Sequence, residues 1–146
     1  MKAFEESEEQ TEIVHARARA VLGRYYARAK ENELAMQYYS EALEILSDQA
    51  DPGSAVEVAM LLGQVLSDAG RREEAAEHYM DALLLAEAND FRMLQGELLA
   101  RLGEVESDRS QKVEYLQRSL TVFRELGAVD RMREVQTSVH RAVMGN

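Results

Sequence analysis

The chain is 146 residues long, 46% apolar, and carries 17 Lys and Arg against 27 Asp and Glu, a net charge of −10. That length fits one domain or one compact array, and the acidic balance argues against binding nucleic-acid phosphates or anionic lipid. With no cysteine, a disulfide framework, a thiolate zinc site and a cysteine nucleophile are all excluded.

The opening MKAFEESEEQ is glutamate-rich around a lone Phe4 and is expected to fray or to extend the first helix. It lacks the apolar core of a signal peptide, and no later run approaches ~18 apolar residues, so a soluble, cytoplasmic protein is expected. A first helix is expected at about 9–30, where Val14, Ala18, Leu22 and Tyr25 share one helical face as its core stripe. Its partner, at about 33–49, aligns Ala35, Tyr39, Ala42 and Ile45-Leu46, with Asn32 in the preceding turn. Just after the single proline, Pro52, Ser54 and Glu57 form a capping-box pair that opens a third helix at about 55–69. Gly70 suits a positive-φ helix terminus, and a fourth helix follows at about 72–88. Asp90 reads as the N-cap of a fifth helix at about 91–107, and Ser107 to Ser110 as the next turn. A sixth helix runs at about 111–126, and Gly127 breaks the chain before a seventh at about 130–143. There Met132, Val135, Val139 and Val143 form one stripe, while Asp130, Arg131, Arg133, Glu134, Thr137 and Arg141 cover the rest. One face closes a stack and the other meets water, as a capping helix ending a complete array requires. No segment alternates like a strand.

These elements repeat. Leu22-Gly23, Leu62-Gly63 and Leu102-Gly103 recur at a spacing of forty residues. Sliding 15–50 onto 55–90 gives eight identities, mostly small or apolar: Leu22/Leu62, Gly23/Gly63, Ala29/Ala69, Glu33/Glu73, Ala35/Ala75, Tyr39/Tyr79, Ala42/Ala82 and Leu43/Leu83. Gly and Ala let helices approach closely, and the aromatic is expected to fill the gap between neighbouring helix pairs. Leu-Gly, a downstream Ala-x3-aromatic and a following Ala-Leu resemble the tetratricopeptide repeat, a helix–turn–helix unit of usual period about 34. The resemblance spans roughly 13–126 and is strong in the first two units. The third is three residues shorter and has Leu116 in place of the aromatic. The family's early Trp is absent, with Arg19, Ala59 and Leu99 in its places, and its Tyr survives only as Tyr26. The longer period implies lengthened helices. A HEAT-like array also has a period near 40 but normally shows more prolines.

The resemblance implies an all-α, right-handed α-solenoid forming a single domain. Its units fall at about 13–49, 54–88 and 91–126, closed by a capping helix at about 130–143. It also implies a concave groove lined by the first helix of each unit, which holds a peptide or a helix. On that face unit one places Arg17, Ala20, Arg24 and Arg28, and unit two Glu57, Met60, Gln64 and Asp68. Unit three places Glu97, Ala100, Arg101 and Glu104. The groove is thus basic at its N-terminal end and acidic beyond, and residues 31–70 hold eight acids and no Lys or Arg. A plainer reading has these charges pair between adjacent helices, Arg17 with Glu57 for example, for only ~0–1 kcal/mol each. The five-residue clamp by which related arrays hold a chaperone's terminal carboxylate would map to Ala20, Arg24, Leu61, Glu97 and Arg101. Only Arg101 fits, and Glu97 has the wrong sign.

No catalytic or metal chemistry is expected. His15, His78 and His140 lie in different units without a ligand at helical spacing. No P-loop, GxSxG or GxGxxG occurs. Glu8-Glu9 and Glu73-Glu74 read as solvated faces, and the tyrosines as core residues whose hydroxyls reach its edge. The expected role is a non-enzymatic scaffold or adaptor for a protein or peptide, with no cofactor and no metal. The alternatives are a peptide-sensing regulatory domain and a secretion-type chaperone. Self-association through the convex face or the termini is a further option.

Overall fold

Residues 2–47 and 51–145 are described by a computed structural model. Among them the chain forms α1 (Lys2–Arg28), α2 (Asn32–Ser47), α3 (Pro52–Asp68), α4 (Arg72–Ala88), α5 (Arg92–Val105), α6 (Arg109–Leu126) and α7 (Val129–Met144), with no strand. The glutamate-rich start therefore extends α1. The expected end of the second helix, at 48–49, lies outside the described residues.

Turn chemistry sets the helix ends. Lys30, Gly70, Asp90 and Gly127 all take the left-handed conformation, with φ of 60°, 80°, 56° and 69°. Each donates its amide three residues back, and the next amide reaches five back: Glu31 to Tyr26, Arg71 to Leu66, Phe91 to Ala86 and Ala128 to Phe123. This hydrogen-bond pair satisfies helix carbonyls that would otherwise be unpartnered. Gly70 and Gly127 act as expected. Asp90 does not: it ends the α4 turn rather than capping α5, and Asn32 begins α2 rather than sitting in the turn. The start of α3 also differs. Asp51 is its N-cap, accepting the Ser54 amide at 3.2 Å, and Pro52 takes the first turn, where its missing N–H costs nothing. Ser54 and Glu57 therefore lie inside α3. Between α5 and α6 the turn contracts to 106–108. Asp108 accepts the Gln111 amide at 2.9 Å, and Lys112 Nζ donates to the Gly103 carbonyl at 2.5 Å.

The helices pack as antiparallel neighbours into a helical-repeat solenoid, each contacting the next, with α1 also reaching α3 and α3 reaching α5. The Leu-Gly pairs explain the close approach. A Cβ on Gly23 would lie 2.5 Å from Tyr39 Cε1, one on Gly63 would collide with the Tyr79 ring, and one on Gly103 would lie 2.8 Å from Leu116. The aromatic therefore packs on the glycine of its own unit, and the Tyr79 phenol reaches on to Arg101 of the next. Tyr39 and Tyr79 are both 1% exposed. Leu116 replaces the ring in unit three, and Phe123 supplies one against Gly96 instead.

The expected stripe of α1 faces outward. Val14 and Tyr25 are 59% and 66% exposed, and Leu22 and Ala18 are exposed too. The buried face is Ala16, Ala20 and Gly23. The periodicity is correct, but among the described residues no helix covers this face of α1. Leu62 and Leu102, equivalent to Leu22, are buried because α2 and α4 lie against α3 and α5. On α7, Val135 is buried while Met132, Val139 and Ala142 are partly covered. Val143 is exposed, its expected place taken by Ala142.

Candidate functional site

Arg17, Arg24 and Arg28 occupy one exposed flank of α1. Between α1, the end of α2 and α3 lies a hollow of about 350 Å³ lined by Arg17, Ala20, Arg24, Glu57, Val58 and Leu61. Among the described residues no ion pair joins Arg17 to Glu57, although they share this hollow. Behind it is Tyr39. Burial pushes its phenol above the ordinary range, against the opposing charges of Arg24 and Arg28.

Further along, α3 and α5 are joined. Gln64 donates to Asp68 at 2.9 Å and accepts from Arg101 Nη1. The Tyr79 phenol belongs to the same cluster. Burial raises its pKa, opposed by the charge and hydrogen bond of Arg101, with Glu104 and Asp68 adding to the rise. At the far end Glu97 is engaged at both oxygens by Arg131 of α7, at 2.6 and 2.7 Å. The Arg131 guanidinium also lies 5.3 Å from the centroid of the Phe123 ring.

The expected groove residues thus divide into three groups. Arg17, Ala20, Arg24 and Glu57 share the hollow, with Arg28 further along the flank. Gln64, Asp68, Arg101 and Glu104 gather around Tyr79. Glu97 is tied to α7, and Met60 is half-buried against the core. Ala100 is a correction: at 5% exposed it packs with Leu116, Phe123 and Val135, so it is core rather than groove lining. Arg131, expected to face water, is the residue that sequence reasoning missed. Its signal was present, since Arg131 precedes Val135 by one helical turn and so shares the inward face of α7. Among the described residues no group of His, Cys, Asp or Glu is arranged to hold a metal ion, and no helix is long and apolar enough to cross a membrane.

The repeated helix pairs, glycine contacts and terminal helix define a known architecture, and a family model described as tetratricopeptide repeat matches residues 2–55 and 60–119. The chain belongs to the tetratricopeptide repeat family. Among curated proteins none matches it. Among solved structures it is similar to the apo form of RapI, at 16% identity and a TM-score of 0.76, covering 90% of this chain and 53% of that one. A Rap protein complexed with competence and sporulation factor gives 18%, 0.69, 91% and 44% in the same order. The TPR2AB-domain:pHSP90 complex of yeast Sti1 gives 20%, 0.67, 87% and 48%. At these identities the likeness is one of fold, and the chain spans about half the length of those structures. In this tetratricopeptide array the chaperone-clamp positions Ala20, Arg24 and Leu61 line the hollow, while Glu97 holds Arg131 and Arg101 holds Gln64.

Proposed function

We propose that this tetratricopeptide array is a non-enzymatic interaction module that takes a polarised peptide or helix along the flank of α1, α3 and α5. An acidic stretch or free carboxylate of the ligand lies against Arg17, Arg24 and Arg28. A basic part faces Glu57, Asp68 and Glu104, because Glu97 is already engaged by Arg131. The observation that carries this reading is the hollow holding Arg17 and Arg24, neither ion-paired among the described residues, followed by carboxylates on the next units. Support of a weaker kind comes from two proteins of the same fold, the Rap protein complexed with competence and sporulation factor and the Sti1 domain complexed with pHSP90.

The test is fluorescence anisotropy with labelled peptides carrying an acidic free C-terminus and a basic N-terminal half. Reversing Arg24 and Arg28 to Glu weakens binding severalfold and leaves the circular dichroism spectrum unchanged. The difference narrows at high salt, because exposed charges are screened over ~8 Å at physiological ionic strength. Arg118→Glu, on the exposed side of α6, is the control. Arg19 cannot serve, since it donates to Glu41 at 3.2 Å. Equal effects at Arg118 and at the α1 pair would place the ligand elsewhere.

A further inference from the structure

The longest helix carries an apolar face that no other described residue covers. Phe4, Val14, Ala18, Leu22 and Tyr25 all point away from the buried Ala16–Ala20–Gly23 side and are exposed. At 100° per residue they lie within about 40° of the direction set by Ala18. The polar residues on the same face, Ser7 and Thr11, have their hydroxyl hydrogens committed, donating to the Phe4 and Ser7 carbonyls at 2.9 and 2.8 Å. Both hydroxyls can therefore meet an apolar neighbour without losing a hydrogen bond.

Units two and three show what this face is built for. Val58 and Leu98, equivalent to Ala18, are 5% and 0% exposed, and Val65 and Val105, equivalent to Tyr25, are 4% and 7% exposed. In each case the cover is an antiparallel helix of the preceding unit, α2 or α4. The first unit thus presents a helix-binding face in working register.

The charge along α1 says which helix fits. Residues 5–12 hold five glutamates and no base, whereas residues 15–30 hold four arginines and one lysine and no acid. A parallel copy would set like against like. An antiparallel copy sets the glutamate half on the arginine half, twice. The outer face of α7 offers no equivalent, since Asp130, Arg133, Thr137 and His140 are polar and exposed there.

We propose that the chain forms an isologous dimer in which α1 pairs antiparallel with α1 of a second copy, centred on Ala18. The small side chain of Ala18 lies at the two-fold axis and lets the helices approach. Val14 packs beside Leu22 of the partner subunit, and Thr11 faces the partner's Tyr25. On one flank Glu6 comes opposite the partner's Arg28, since each sits about 80–120° to the same side of the Ala18 direction at opposite ends of the contact. The first two turns of α1, exposed from Lys2 to Glu8, rest on the partner. This proposal rests on the apolar stripe rather than on the groove reading, with Arg28 the one residue common to both.

Sedimentation velocity and light scattering across micromolar concentrations test it. The wild-type chain is expected to sediment as a particle of twice 16.5 kDa. Ala18→Glu and Leu22→Glu each change an exposed residue, so the helical spectrum persists, while the dimer dissociation constant rises at least ~100-fold. Glu6→Arg and Arg28→Glu each weaken the dimer about tenfold, and the double variant restores it, because the swapped charges meet again. A monomer at every concentration overturns the proposal, as does a dimer that survives both Ala18→Glu and Leu22→Glu. Single charge variants that weaken the dimer without rescue in the double variant also overturn it, since the pairing is then not antiparallel.

Discussion

A methyl group on Gly63 would enter the ring of Tyr79, which is 1% exposed and has no free space to turn into. Gly63→Leu is therefore expected to cost at least ~1–3 kcal/mol in urea unfolding, the usual range for overpacking. Gly103→Ala is the informative companion. Its neighbour is the flexible end of Leu116, which yields more readily than a ring, so the loss is smaller. A wild-type midpoint for Gly63→Leu would show that α3 and α4 are not held by this contact. The Leu-Gly spacing already marked these glycines in the sequence. That each ring also seats on the glycine of its own unit was not legible, because the spacing fixes which residues share a face, but not which helix that face meets.

Among the elements, α7 shows how one side chain docks a terminal helix. Its apolar contact rests on Val135 with Met132, Val139 and Ala142, and Arg131 adds two hydrogen bonds to Glu97 and a contact with the Phe123 ring. The C-terminal end is held from α6, where Arg109 Nε donates to the Ala142 carbonyl at 2.7 Å. Arg131→Ala is expected to destabilise by only about 1 kcal/mol, because the pair is 31% and 24% exposed and so is partly screened. Hydrogen exchange should nevertheless rise selectively in α7 while α3 keeps its protection. A uniform rise along the chain would mean that α7 does not open on its own. The α1 stripe is the opposite case, an element whose pattern predicts a neighbour that no described helix supplies.

For the whole molecule, Tyr39 and Tyr79 link the packing of the array to pH. Burial raises both phenols above the ordinary value of 10.0, with Arg24 and Arg28 opposing at Tyr39 and Arg101 at Tyr79. The neutral phenol is thus retained more strongly in the folded chain than in the unfolded one. Its contribution to stability is complete below pH ~10 and is lost as pH rises through that value toward the raised native ones. Urea midpoints should fall as pH rises above ~10, and Tyr79→Phe should flatten the fall. Lys112, lowered chiefly by burial, acts in the other sense, so the comparison with Tyr79→Phe is what isolates the phenol. An unchanged slope in that variant would exclude Tyr79 as the source.

The sequence by itself determined the helical class, the forty-residue repeat, the glycines at the close contacts and the polarity of charge from unit one to unit two. Each is a local or periodic property, carried by residues three, four or forty apart, and survives without knowledge of what lies opposite. Tertiary structure decided the rest. It turned Val14, Ala18, Leu22 and Tyr25 outward, moved Ala100 from groove to core and took Glu97 out of the open groove by giving it Arg131. The physical reason is common to all three. Burial and pairing depend on which helix arrives from elsewhere in the chain, and a helical period names the face without naming its partner.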